Sequence, residues 1–157
     1  MKCGAAMRMT IAILEDNEDR IRVMSDCLAD KFPFFQRRFF RSAPEASAWL
    51  ERNLTTVICF ALDHDLEPVP ASPREYDPGT GRDVADFLAQ RQPQCPVIVH
   101  STNVPAAMGM ELVLTDAGWS VTRVTPYNDV EWIAASWLPA VREAIVQSAA
   151  VAHSASS

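Results

Sequence analysis

The stretch "TTVICFALDHDLEP", residues 55–68, runs six apolar residues without a break into Asp63, His64 and Asp65. A strand wetted on one face alternates apolar and polar side chains, and Val57–Leu62 does not. The run therefore predicts a strand covered on both faces, inside a layered α/β domain. Asp63 caps that strand, which makes it the best-placed ligand or nucleophile.

The chain alternates on either side of this strand. "TIAILE" (10–15) is a short β-branched run that stops at acids. Ile21, Val23, Met24, Cys27 and Leu28 then recur at helical spacing, predicting an amphipathic helix over 17–30 that Pro33 ends. "FQRRFFR" (35–41) reads as a partly exposed strand. Ser42, Pro44 and Glu45 start a second helix, with Ala46, Trp49 and Leu50 inward. Residues 66–80 hold four prolines and predict a long loop, after which Thr80 and Gly81 open a helix whose inward stripe is Val84, Phe87 and Leu88. "CPVIVHS" (95–101) and "WSVTRVT" (119–125) are two further strands around a helix opened by Pro105 and closed by Gly118. The last helix spans "DVEWIAASWLPAVREAIVQ", where Pro139 predicts a kink or a break into two pieces.

Five strand–helix units without repeats or a low-complexity linker predict one α/β domain over residues 9–148, an open parallel sheet with helices on both sides. Residues 1–8 read as a flexible extension, with Met7 or Met9 an equally good start, and residues 149–157 as a disordered tail. The net charge of −6 and pI near 5 argue against a nucleic-acid groove, which needs a basic face. No apolar run approaches the ~20 residues of a membrane span, and the N-terminus lacks a secretory h-region. Cys3, Cys27, Cys59 and Cys95 form no C-x-x-C pair and read as free thiols of a reducing compartment. A cytoplasmic location follows as the expectation; the oligomeric state is left open.

In open parallel sheets ligands bind beyond the carboxyl ends of the strands. There the first strand ends at Glu15-Asp16, the third at Asp63-His64-Asp65, the fourth at His100-Ser101 and the fifth at Thr125-Pro126. Converging carboxylates repel unless a cation sits among them, and a hard oxygen set favours Mg²⁺ or Mn²⁺. Ser101 offers a hydroxyl to a phosphoryl oxygen. Asn103 offers either a cap to the fourth helix or a phosphate contact at its N-terminus. The imidazoles of His64 and His100 suit acid–base work near neutral pH, with an exposed turn or a backbone hydrogen bond as the plainer use of each. "PGTGRD" lacks the Gly-Lys-[Ser/Thr] of a phosphate loop and reads as a flexible lead-in to a helix.

In these motifs the chain resembles the receiver domain of two-component response regulators over about residues 9–148. Glu15-Asp16 in "ILEDNEDRIRVM" matches that family's acidic pair, Asp63 its phosphoacceptor, and Ser101 in "PVIVHS" the Ser or Thr after its fourth strand. The resemblance implies a flavodoxin-like (βα)5 three-layer sandwich with strand order 2-1-3-4-5. It also implies a divalent ion held by Asp16, Asp63 and the Asp65 carbonyl, with Glu15 acting through water. One departure is marked: receivers carry a lysine before a proline after the fifth strand, and here Thr125 stands there. Arg123, two residues earlier on the same side of that strand, is a candidate to replace the charge at a phosphate, alongside a sheet-edge or helix-facing role.

"LDHDL", "TGRDVADFL" and "VIVHSTNVPAAMGM" together resemble the divergent cyclic-phosphate-processing receiver domains. That resemblance implies metal-dependent chemistry on a phosphoester or cyclic phosphate, with Asp63, His100, His64 and Ser101 as catalytic candidates. Two alternatives stand beside it. One is a signalling module phosphorylated on Asp63 that presents a face to a partner protein; the other is a pseudo-receiver that binds a partner without catalysis.

Overall fold

The computed structural model describes residues 9–68 and 77–155. The expected extension 1–8 and the middle of the 66–80 loop lie outside the described residues. Five strands, β1 (Thr10–Leu14), β2 (Gln36–Phe40), β3 (Val57–Leu62), β4 (Val97–His100) and β5 (Val121–Val124), pair in parallel in the order β2-β1-β3-β4-β5. The helices are α1 (Glu18–Lys31), α2 (Ala43–Asn53), α3 (Gly81–Ala89), α4 (Val104–Asp116) and α5 (Leu138–Ala155). This is the flavodoxin-like three-layer sandwich with strand order 2-1-3-4-5.

The two faces of the sheet bury separate cores. Ala12, Leu14, Phe60, Leu62, Val97 and Val99 point toward α2, α3 and α4. Ile11, Ile13, Cys59, Ala61 and Ile98 point the other way, onto Met24 and Leu28 of α1 and onto Trp132, Ile133, Trp137 and Val141. β3 is apolar on both sides because it contributes to both cores. β2, at the edge, begins with three exposed residues and is buried only at Phe40.

Local chemistry sets the helix starts. Asn17, Ser42 and Asn103 each accept a backbone N–H three residues on, from Arg20, Glu45 and Ala106. Thr80 and Asp83 form a reciprocal capping box at α3. Gly81 is needed for packing, since a Cβ there would lie 1.9 Å from the Asp63 carbonyl oxygen. Its own N–H donates to the His64 carbonyl at 2.9 Å, so α3 is seated directly on the end of β3.

The last helical segment is interrupted ahead of Pro139. Ile133–Trp137 form a wide π turn in which the Leu138 N–H reaches back to the Ile133 carbonyl. A proline cannot donate within a helix, and the widened turn coincides with that missing donor. The turn carries Trp137 inward and follows directly on Trp132, and both rings are fully buried. α5 continues past residue 148 to Ala155. Among the described residues no helix is long and apolar enough to cross a membrane.

Candidate functional site

Side chains alternate along a strand, so the residue following each strand inherits a face from the pattern before it. Ile11, Ile13 and Glu15 share one parity; so do Cys59, Ala61 and Asp63, and so do Ile98 and His100. All three series face α1 and α5. The register pairs Leu14 with Leu62 and Leu62 with Val99. One residue further on, Glu15, Asp63 and His100 therefore stand abreast across β1, β3 and β4. One ligand atom from each lies within 4.8 Å of the others, and all three residues are buried.

Glu15 is fully buried, and both its oxygens are engaged. Oε1 accepts the backbone N–H groups of Asp16 and Asn17, each at 3.1 Å, at the N-terminus of α1. Oε2 lies 3.0 Å from His100 Nε2. Burial pushes the Glu15 carboxyl up, but the hydrogen bond and charge of His100, the Asn17 amide and Arg20 outweigh it and hold the group below its usual range.

Asp63 has a different balance. Its Oδ1 accepts the His64 N–H at 2.7 Å, and Oδ2 lies 3.7 Å from an Arg20 nitrogen. Burial dominates and lifts its carboxyl to about 7, with neighbouring Glu15 adding to the rise and His100, the His64 amide and Arg20 opposing it. Burial likewise raises Asp16, whose Oδ2 accepts the Glu67 N–H from the loop after β3.

His100 is fully buried, with its ring 5.7 Å from that of Trp132 and 6.3 Å, edge on, from that of Trp137. Its Nδ1 has no hydrogen-bond partner among the described residues. Nε2 thus carries its polar contact, and that contact is Glu15. Ser101 has the opposite parity, and its Oγ accepts the Asn103 N–H at 3.1 Å. Asn103 caps α4. His64 does not join His100: its Nδ1 lies 2.8 Å from Asp65 Oδ1.

Glu15, Asp16, Arg20, Asp63, Asp65 and Thr102 line a pocket of about 390 Å³ at the carboxyl edge of the sheet. Arg20 and Thr102 carry no motif that singles them out in the sequence. Arg123 is held elsewhere: it shares the face of Val121, toward α4, where Nε pairs with Glu111 at 3.3 Å. Of the uses the sequence left open for Arg123, this is the helix-facing one, because its strand parity turns it to the helix beside β5. A larger apolar hollow of about 520 Å³ lies at the opposite edge of the sheet, against Met9, Val57, Pro93 and Gln147. It has no charged lining residue among those described, so the chemistry belongs to the acidic pocket.

A five-stranded parallel sheet in this order, with acids converging at the ends of β1 and β3, defines a receiver domain of the response-regulator type. The phosphorylated cyanobacterial phytochrome response regulator RcpA superposes with a TM-score of 0.66 at 19% identity, covering 87% of this chain and 92% of its own. The receiver domain of an HD domain-containing protein from Pseudomonas fluorescens Pf-5 gives 0.65 at 14% identity, over 91% and 98%. A CheY-like receiver from Methanospirillum hungatei JF-1 gives 0.63 at 13%, over 90% and 96%. At these identities the likeness establishes the fold alone. No curated protein matches the chain in sequence. Residues 11–116 match the cyclic-phosphate processing receiver domain, and the chain belongs to that family.

Proposed function

We propose that this receiver domain processes a phosphoester or cyclic phosphate in the acidic pocket, with a divalent cation as cofactor. The observation that carries the reading is the alignment of Glu15, Asp63 and His100 on one face, with ligand atoms within 4.8 Å of one another. The family's description, cyclic-phosphate processing, supplies the substrate class.

The donor set fits a hard cation. Two buried carboxylates, Glu15 and Asp63, meet there, Asp16 and Asp65 line the same pocket, and burial, with Glu15 adding to it, pushes the Asp63 carboxyl up. Asp63 and Asp16, with Glu15 and the Asp65 carbonyl, would hold Mg²⁺ or Mn²⁺. Such an ion, when bound, neutralises phosphate oxygens. Asp63 presents Oδ2 to the pocket while His64's amide fixes Oδ1. His100 positions Glu15 and reaches the pocket only through it. Of the two hydroxyls after β4, Thr102 lines the pocket, and Ser101, whose Oγ accepts the Asn103 N–H, is not among the residues that line it.

The test is Mg²⁺-dependent hydrolysis of 2′,3′-cyclic nucleotides by the full chain. The reading expects turnover that disappears in Asp63→Ala and falls steeply in His100→Ala. Turnover unchanged in both variants overturns it.

Asp63 at the end of β3 also favours a second reading, a signalling receiver phosphorylated there. Incubation with a small phosphodonor and Mg²⁺ would then label the wild type and not Asp63→Asn. Labelling without hydrolysis would select this reading over the first.

A further inference from the structure

We propose that Arg20 is the residue that binds the phosphate oxygens of the substrate in this pocket; the proposal rests on the phosphate reading of the site given above. A pocket lined by so many acids repels a phosphate unless a cation faces it. Arg20 is the one basic residue among the described residues that line it. The position after β5 holds Thr125 and Pro126, which carry no charge, and Arg123 is paired with Glu111.

The geometry of Arg20 suits a ligand-binding role. One guanidinium nitrogen lies 3.7 Å from both Glu15 Oε2 and Asp63 Oδ2, close enough for attraction but too long for a hydrogen bond. Among the described residues nothing accepts a hydrogen bond from its side chain, so its N–H donors are available to a ligand. The guanidinium instead lies over the Trp132 ring, its central carbon 5.3 Å from the centroid. That indole is fully buried and held by its own N–H, which donates to the Asp129 carbonyl at 3.3 Å. This cation–π contact holds the guanidinium beside the pocket without consuming its donors, which leaves them for oxygen recognition. The side chain is 21% exposed, so the approach from the pocket is open.

The carboxylates and the phosphate make different demands on this residue. With the acids alone, Arg20 is their counter-charge. A divalent ion held by the acids would offset their charge and leave the guanidinium free for the phosphate. Loss of Arg20 should accordingly weaken phosphate binding while leaving Mg²⁺ affinity equal or tighter. A residue serving only to neutralise the acids would change Mg²⁺ affinity and leave phosphate binding untouched.

The experiment is calorimetric titration of the full chain, first with Mg²⁺ alone, then with inorganic phosphate at saturating Mg²⁺. Arg20→Gln and Arg20→Lys are compared with wild type and with Arg22→Gln, an exposed arginine of the same helix paired with Asp19. Far-UV circular dichroism verifies that each variant is folded. Arg20→Gln should weaken phosphate binding by about 10- to 100-fold, the range for a charged hydrogen bond. Arg20→Lys should recover part of it, and Arg22→Gln should match wild type. Wild-type phosphate affinity in a folded Arg20→Gln overturns the proposal while leaving the phosphate site standing. A wild type that takes up Mg²⁺ but no phosphate overturns both.

Discussion

His100 Nε2 lies 3.0 Å from Glu15 Oε2, and neither side chain has any contact with solvent. The pair joins the ends of β1 and β4 across the Asp63 strand. A buried polar pair of this kind costs desolvation to form, yet removing one partner strands the other. His100→Ala should therefore destabilise the fold by about 3–5 kcal/mol. Glu15→Gln keeps hydrogen-bonding atoms toward His100 and should cost only about 1–2 kcal/mol. Urea denaturation of both variants measures the difference; an unshifted midpoint in His100→Ala would refute the pair's structural importance.

Asp63 makes stability depend on pH in a defined direction. Its carboxyl titrates at about 7 in the fold, against an ordinary value of 3.8. Between those values the folded chain holds a proton that the unfolded chain has released. Stability of the metal-free protein should then fall as pH rises from about 4 to 7 and level off above. Asp63→Asn cannot release that proton and should be more stable than wild type at pH 8, with the gap closing toward pH 5. Thermal melts in EDTA across this range provide the measurement. The depressed carboxyl of Glu15 acts in the opposite sense, and only in more acid solution.

Divalent cation should stabilise the fold through the same residue. A ligand at 100 times its dissociation constant adds about 2.7 kcal/mol. The melting temperature should rise with MgCl₂ beyond the rise produced by KCl of equal ionic strength, and the extra rise should be lost in Asp63→Ala. Equal shifts from both salts would assign the effect to screening of the acidic surface.

Gly81 couples the helix behind the site to the site itself. An alanine Cβ would lie 1.9 Å from the Asp63 carbonyl oxygen, a backbone atom that cannot step aside. Gly81→Ala should cost about 1–3 kcal/mol or more through forced displacement of α3 or the end of β3. It should also weaken Mg²⁺ binding, since Asp63 moves with that backbone. Gly109→Ala offers the contrast, because its nearest obstacle is the end of the flexible Arg82 side chain at 3.2 Å.

Much of the molecule was legible in the residues because local physics decides it. The unbroken apolarity of Val57–Leu62 required cover on two faces, and the two cores supply it. Ser42, Asn103 and Thr80 marked helix starts through short-range hydrogen bonds that need no distant partner. Pro139 announced the break that the π turn absorbs. The acids at the strand ends were visible because parallel strands in one sheet end on the same side. Strand parity, carried one residue further, also held the signal that Glu15, Asp63 and His100 share a face.

Tertiary structure alone decided which polar groups meet. Whether His64 or His100 joins the acids depended on the order β1-β3-β4 and on register, which bring together residues far apart in the chain. Arg20 looks in sequence like any charge on an exposed helix; docking of α1 against Trp132 turns it into the pocket. Arg123 stood in the sequence between a phosphate and a sheet-edge or helix-facing role, and the packing of α4 beside β5 gave it to Glu111. Periodicity and capping are set by neighbours in sequence, so the sequence by itself determined the elements and the edge on which the site lies. Partnership among charged side chains is set by how those elements pack, and only the folded chain decided it.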